Sequence, residues 1–301
     1  MSTAVRVNTV FLVGAPRSGT SLVYKTLCLH PDTSYISNWV RRAPSVPQLA
    51  VLNRAATHLP DLRRKVWFGG GDNAYVYGDR RPLWQRAFPM PVEGEPLYAR
   101  AGVAEGMNGS GKGRVDVERL RTSFAAVRRA GGGATFVNKR VANNRRIPLL
   151  LEAFPDARFV EIVRDGRAVA LSLANVDWWP DSVVWWAGKT PREWEAGGGD
   201  PWTLCARTWV EELHATEAGL AQVPERQRLS ISYEQLVRDP QATLAGVAVF
   251  AGLDPASTGR GWLAGVKFPD RNEAWRTRLD SAALSTIEGV EGDDLRRLGY
   301  A

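Results

Sequence analysis

Short apolar runs separated by polar turns set the pattern of this chain. Thr9-Val10-Phe11-Leu12-Val13 is a β-rich run of the length of a buried parallel strand. It breaks at Gly14-Ala15-Pro16-Arg17-Ser18-Gly19-Thr20-Ser21 and resumes as a helix-like stretch to about Leu29, stopped by His30-Pro31-Asp32. From about Tyr35 to Gly133 the pattern loosens, with glycines, prolines and aromatics scattered through Val66–Gly113. A loop-rich segment of that length in a compact enzyme points to function. A helix is expected over Val117–Arg129, ended by Gly131-Gly132-Gly133.

Order returns with a strand over Thr135–Lys139, a helix over Ile147–Phe154 closed by Pro155-Asp156, and a third strand over Arg158–Val163. Arg164-Asp165-Gly166-Arg167 turns that strand into a helix over Ala168–Ala174. A Trp-, Pro- and Gly-rich loop over Asp177–Pro201 precedes a helix over Trp202–Ala221, a strand over Arg228–Ser232 and a helix from about Glu234 to Gly252. Strands alternating with helices predict an α/β fold of three α/β/α layers around a central parallel sheet. No internal repeat or low-complexity linker divides the chain, so residues 1–301 read as one domain, with 35–134 and 176–202 inserted into it.

Bulk properties narrow the classes only a little. With 44% hydrophobic and 24% charged residues the 301-residue chain is globular in composition. No run of about 18 apolar residues predicts a membrane span, and Met1–Thr9 lacks the apolar run of a secretory signal. Cys28 and Cys205 stand far apart in helix-like segments, where buried free thiols and a cytoplasmic compartment are expected. The net charge of +7 is spread along the chain without a run of five basic residues, which suits a polyanionic small molecule in a local pocket better than nucleic acid.

Chemistry concentrates at strand ends. Gly14 and Gly19 have the spacing of the phosphate-binding loop Gly-x4-Gly-Lys-Ser/Thr, but Thr20 holds the lysine position and Arg17 lies inside the loop. Backbone N–H groups at such a strand-to-helix turn still cradle an anion, and Thr20 and Ser21 add hydroxyls. What is missing is the lysine that neutralises β- and γ-phosphates. A phosphate–sulfate group needing no magnesium bridge fits better than a nucleoside triphosphate. Arg164 leaves the C-terminal end of a strand, where open α/β sheets bind ligands. Ser172 follows about two helical turns later, so a guanidinium and a hydroxyl can clamp a phosphomonoester.

These words resemble those of the PAPS-dependent sulfotransferases (PAPS is 3′-phosphoadenosine-5′-phosphosulfate), especially bacterial and Golgi-type members with a P-loop-like fold. Val13-Gly14-Ala15-Pro16-Arg17-Ser18-Gly19-Thr20-Ser21-Leu22 looks like the family's 5′-phosphosulfate loop, which implies that Arg17, Ser18, Gly19, Thr20 and Ser21 grip that group. Phe159 to Ser172 is similar to its 3′-phosphate segment, implying Arg164 and Ser172 as ligands. Asn138-Lys139-Arg140, followed by Phe154-Pro155-Asp156-Ala157-Arg158-Phe159, resembles the strand whose lysine serves the sulfuryl group; Arg140-Val141 departs from the Thr-Pro or Asp-Pro of several relatives. Ser232-Tyr233-Glu234-Gln235-Leu236 implies Tyr233 near the adenine. Arg271-Asn272-Glu273-Ala274-Trp275-Arg276 and Leu295–Tyr300 look like the family's C-terminal words, implying Arg271 or Arg276 over the cofactor. The resemblance covers 9–32, 135–175 and 228–301 and barely touches 35–134.

It implies transfer of a sulfuryl group from PAPS to an oxygen or nitrogen of a small-molecule or glycan acceptor, with no metal. Lys139 and Arg17 are the expected stabilisers of leaving-group charge. Glu93, Glu95 and Glu105, in the acceptor-side insertion, are the candidate bases, with His58 behind them. His30 reads as a turn residue and His214 as packing. Trp178, Trp179, Trp185, Trp186 and Trp194, with Tyr75 and Tyr77, either wall an acceptor pocket or simply pack. A P-loop kinase, a PAPS-binding protein without turnover and a basic nucleic-acid module stand as alternatives.

Overall fold

The computed structural model describes residues 8–68, 82–104, 115–256, 263 and 266–301. Among them five strands form one sheet in the order β2-β3-β1-β4-β5, and every pairing is parallel. The strands are β1 (Asn8–Val13), β2 (Thr33–Ser34), β3 (Thr135–Lys139), β4 (Arg158–Val163) and β5 (Arg228–Ser232). Four were expected from the apolar runs. β2 has only two residues, too few to show a period, and pairs Thr33 with Thr135 at the sheet edge.

Alternate residues of β1 build two cores. Val10 and Leu12 join Val137, Val160 and Ile162 beneath helix α1 (Thr20–Leu27), whose Val23, Tyr24 and Leu27 are fully buried. Phe11 and Val13 face the other way, with Phe136, Phe159, Leu120, Phe124 and Leu150. Phe11 stacks on Phe159 with centroids 5.6 Å apart. Helices therefore cover both faces, which is the expected three-layer arrangement.

Several helices begin where an acidic residue satisfies their first N–H groups. Asp116 caps α2 (Val117–Gly131), Asp165 caps α4 (Gly166–Ala174) and Asp200 caps α5 (Pro201–Leu220). Between α2 and α4 lies α3 (Ile147–Ala153), and α8 (Ser281–Arg297), capped by Asp280, packs against α5. The single helix expected from Glu234 to Gly252 is two: α6 (Tyr233–Arg238) and α7 (Pro240–Phe250). Pro240 has no N–H to continue the first, and Asp239 starts the second by accepting from the Ala242 N–H.

The 35–134 segment also holds more structure than its pattern suggested. Short helices cover Asn38–Arg42, Val51–Thr57, Pro60–Phe68, Leu83–Ala87 and Glu95–Arg100. All but Pro60–Phe68 have two turns or fewer, and Ile36, Val40, Val92, Leu97 and Tyr98 are buried against β1 and β3. Likewise the Trp-rich loop contains a turn at Trp179–Asp181 and a helix at Pro191–Ala196, started by a Thr190/Glu193 capping box. Among the described residues no helix is long and apolar enough to cross a membrane. Cys28 and Cys205 are free and buried, as the sequence suggested.

Candidate active site

β1 and β4 are adjacent, but the chain leaves β1 toward β2 and β3, and leaves β4 toward β5. That reversal opens a crevice at their C-terminal ends. Gly14 begins the loop there with φ +136, and a Cβ would stand 2.4 Å from the Ile162 carbonyl oxygen, so only glycine fits. Arg17 has φ 69, the only positive φ among the described residues other than glycine, and Gly19 has φ +91. These left-handed residues fold the loop back over the start of α1, where Gly19 offers no side-chain cap. The Ser18 hydroxyl is buried and has no hydrogen-bond partner among the described residues. An uncapped helix start and an unsatisfied buried hydroxyl on one turn make a cradle for an anion.

Guanidinium groups close the crevice. Arg164 donates to the carbonyl oxygens of Arg17 (2.8 Å) and Arg271 (3.1 Å) and to Asn272 Oδ1 (3.2 Å). Its Cζ lies over the Tyr233 ring, 4.0 Å from the centroid. Arg17 Nε donates to Ser172 Oγ at 3.0 Å. Burial, then the charges of Arg164 and Arg271, push the Arg17 guanidinium below its ordinary value. Burial does the same to Arg164. The structure thus gathers Arg17, Ser18, Gly19, Thr20, Arg164, Ser172, Tyr233 and Arg271 around one crevice. Arg276 instead pairs with Glu273 and lies over Trp275, and no described contact joins it to the group. Asn272, a buried partner of Arg164, belongs to the C-terminal word read in the sequence, which gave it no role of its own.

Lys139 ends β3, one strand away. Its Nζ lies 2.5 Å from Glu93 Oε1, and Arg140 Nη1 lies 2.5 Å from Glu93 Oε2. Arg140 also reaches Glu95 at 2.7 Å, and Arg146 reaches the same carboxylate at 2.9 Å. Burial pulls the Glu93 carboxyl up, but Lys139 and Arg140 together hold it below the usual carboxylate range. Glu93 therefore sits ionised beside Lys139, whereas Glu95 braces Arg140 and Arg146. Glu105 lies outside the described residues.

Of the histidines, His30 is fully buried, with Nε2 2.9 Å from the Asp254 carbonyl and Nδ1 accepting from the Asp32 N–H, a turn residue as expected. His214 pairs with Asp294 on the outside of α5, and His58 is exposed at a helix end.

The tryptophans divide. Trp186 donates to Thr208 and Trp194 to the Asp200 carbonyl, packing against α5. Trp185 lies under Arg145 at 4.5 Å, and Trp178 is 49% exposed. Tyr75 and Tyr77 lie outside the described residues. Two further residues went unsuspected in the sequence. Asn144, on the 3-10 turn Val141–Arg145, hydrogen-bonds both backbone groups of Gly14, and Glu212 of α5 binds Asn144 and Arg145. Burial raises the Glu212 carboxyl, with Arg145 opposing.

An all-parallel sheet with a lysine-less anion loop at its switch point defines the P-loop-like sulfotransferase fold, and solved structures of that class superpose on the chain. Sulfotransferase STF9 from Mycobacterium avium does so with a TM-score of 0.57 at 14% identity, over 96% of this chain and 76% of that one. The sulfotransferase domain from the curacin biosynthetic pathway gives 0.51 at 14% identity, over 97% of both chains. In sequence, the model of the sulfotransferase family matches residues 114–257, which bears out the resemblance read from the motifs. Nodulation protein NoeE of Sinorhizobium fredii is 25% identical over 324 aligned positions covering 96% of this chain. The chain spans only 65% of that relative's length.

Proposed function

We propose that this chain is one PAPS-dependent sulfotransferase domain acting on a hydroxyl or amine of a small-molecule or glycan acceptor. The observation that carries the reading is the pairing of a lysine-less anion loop with Arg164 and Ser172 at the neighbouring strand. Two anion positions side by side suit a nucleotide phosphorylated at both its 3′ and 5′ ends. Arg17, Ser18, Gly19, Thr20 and Ser21 take the 5′-phosphosulfate, Arg164 and Ser172 the 3′-phosphate, and Tyr233 and Arg271 flank the nucleoside. Bound there, PAPS supplies an activated sulfuryl group; an acceptor oxygen or nitrogen bonds to sulfur, the S–O bond to the 5′-phosphate breaks, and 3′,5′-ADP leaves.

The chain's own contribution is electrostatic. Lys139, Arg17 and the loop N–H groups hold the negative charge that grows on the leaving phosphate, the kind of stabilisation that usually dominates. Glu93 is the base that takes the acceptor's proton, for which it must first loosen its contact with Lys139 or Arg140. That double pairing also favours a second reading, a protein that binds PAPS without turnover. Two buried thiols suit a reducing compartment such as the cytoplasm.

Calorimetric titration with 3′,5′-ADP, ADP and ATP, each with and without Mg²⁺, tests the reading. Magnesium-independent preference for 3′,5′-ADP is the expected result. Preference for ATP with magnesium, or no binding at all, overturns it.

A further inference from the structure

Gly14 is buried where β1 gives way to the loop, and its peptide groups lie past the last register pairs of the sheet, Leu12 with Lys139 and Val13 with Glu161. Buried backbone groups need partners. Here one side chain supplies both. Asn144 Oδ1 accepts from the Gly14 N–H at 2.9 Å, and Nδ2 donates to the Gly14 carbonyl at 3.1 Å. The amide stands in for one more residue of a neighbouring strand.

The orientation of that amide is fixed by charge. Nδ2 carries two protons; one goes to Gly14, the other to Glu212 Oε2 at 2.7 Å. Flipping the amide would set its oxygen against a carbonyl and a carboxylate, and its NH₂ against an N–H. All three contacts would turn repulsive. Glu212 is itself held by Arg145 at 2.6 Å, and Glu212 and Asn144 are 3% and 0% exposed. The clamp therefore reaches from the middle of α5 to the first residue of the loop.

We infer that Asn144 is a positioning residue for the 5′ half of the nucleotide site, kept in its working orientation by Glu212. The inference rests on the PAPS reading proposed above. Its reach is limited by geometry. The 3′ half is built on β4 and α4; it touches the loop at Arg17, through Arg164 and Ser172, but Arg164 has holds of its own, through Asn272 and through the Trp209 indole N–H, which donates to the Arg164 carbonyl at 3.2 Å. Loss of Asn144 releases the loop at Gly14, whereas Asn272 and Trp209 still hold Arg164, so the 5′ half should suffer first. A residue that merely supports the fold would weaken both halves alike.

The experiment compares 3′,5′-ADP, 3′-AMP and 5′-AMP binding to the wild type, Asn144→Ala and Glu212→Gln. Asn144→Ala should lose about tenfold in affinity for 3′,5′-ADP and 5′-AMP, the scale of one or two hydrogen bonds, and hold its affinity for 3′-AMP. Glu212→Gln, which keeps an acceptor for Asn144 but drops the charge, should show the same selectivity with a smaller loss. Equal losses for 3′-AMP, or no loss for any ligand, overturn the assignment. If Asn144→Ala does not fold, Glu212→Gln decides on the same criteria. The wild type keeps the two readings apart. No preference for 3′,5′-ADP over ADP sinks the PAPS reading, whereas a wild type with that preference and variants without ligand selectivity sink only the role of Asn144.

Discussion

Two clusters of basic residues meet at the C-terminal edge of the sheet, and they are compensated differently. At the end of β3, Lys139, Arg140 and Arg146 alternate with Glu93 and Glu95 in a ladder of ion pairs. At the ends of β1 and β4, the hydrogen bonds of Arg164 go to two carbonyls and an amide oxygen, and Arg17 donates to a hydroxyl. Arginine does not escape burial by losing its proton, so a guanidinium held only by neutral oxygens retains capacity for an anion. The first cluster is mostly compensated, three cations against two carboxylates. The second waits for charge from a ligand.

That contrast can be broken at three points. The largest effect is expected at Lys139, which serves the sulfuryl group in the proposed mechanism. Lys139→Ala should lower kcat by about 10²–10³-fold, on the scale of a single charge-stabilising donor, with 3′,5′-ADP affinity little changed. A comparable loss of nucleotide affinity would move Lys139 to the binding side. Next comes Arg164→Ala. Calorimetry should show 3′,5′-ADP affinity falling by about 10–100-fold, the value of hydrogen bonds to a charged group, and 5′-AMP affinity falling much less. Equal losses for both ligands would mean that Arg164 does not read the 3′-phosphate.

The smallest effect separates the ladder's two carboxylates. Glu93 acts as a base only when deprotonated, so turnover falls as pH drops through its pKa, which Lys139 and Arg140 hold low. Arg140→Gln removes one of those cations, lets the pKa rise and moves the acid limb of the pH–rate profile to higher pH. An unmoved limb would remove Glu93 from the role of base.

The sequence carried much of this edge and little of what stands behind it. Lys139 and Arg164 were legible because each closes a short apolar run, and Arg17 because it lies between the two glycines of the loop that follows one. The clamp was not. Asn144 reads as one of two adjacent asparagines ahead of an apolar helix, and Glu212 as a charge in mid-helix; their meeting spans 68 residues. The same holds for the split at Asp239-Pro240, where the Asp-Pro signal was present but the apolar pattern ran through it. Glu93 was named by position alone, and only the fold brings it to Lys139. In the 35–134 segment, helices of one or two turns are stabilised by burial against β1 and β3, so their own periodicity says almost nothing.

Tyr300 gives the site a timetable. Its carbonyl accepts from Arg167, its hydroxyl donates to Glu234, and Glu234 in turn accepts from the Asp165 N–H. The turn after β4 and the start of α6 are thus tied together by a residue made more than a hundred positions after the first of them. During synthesis the sheet can pair as soon as β5 leaves the ribosome. The ties from Tyr300 to Arg167 and Glu234 can form only once Tyr300 has emerged, after every strand of the sheet.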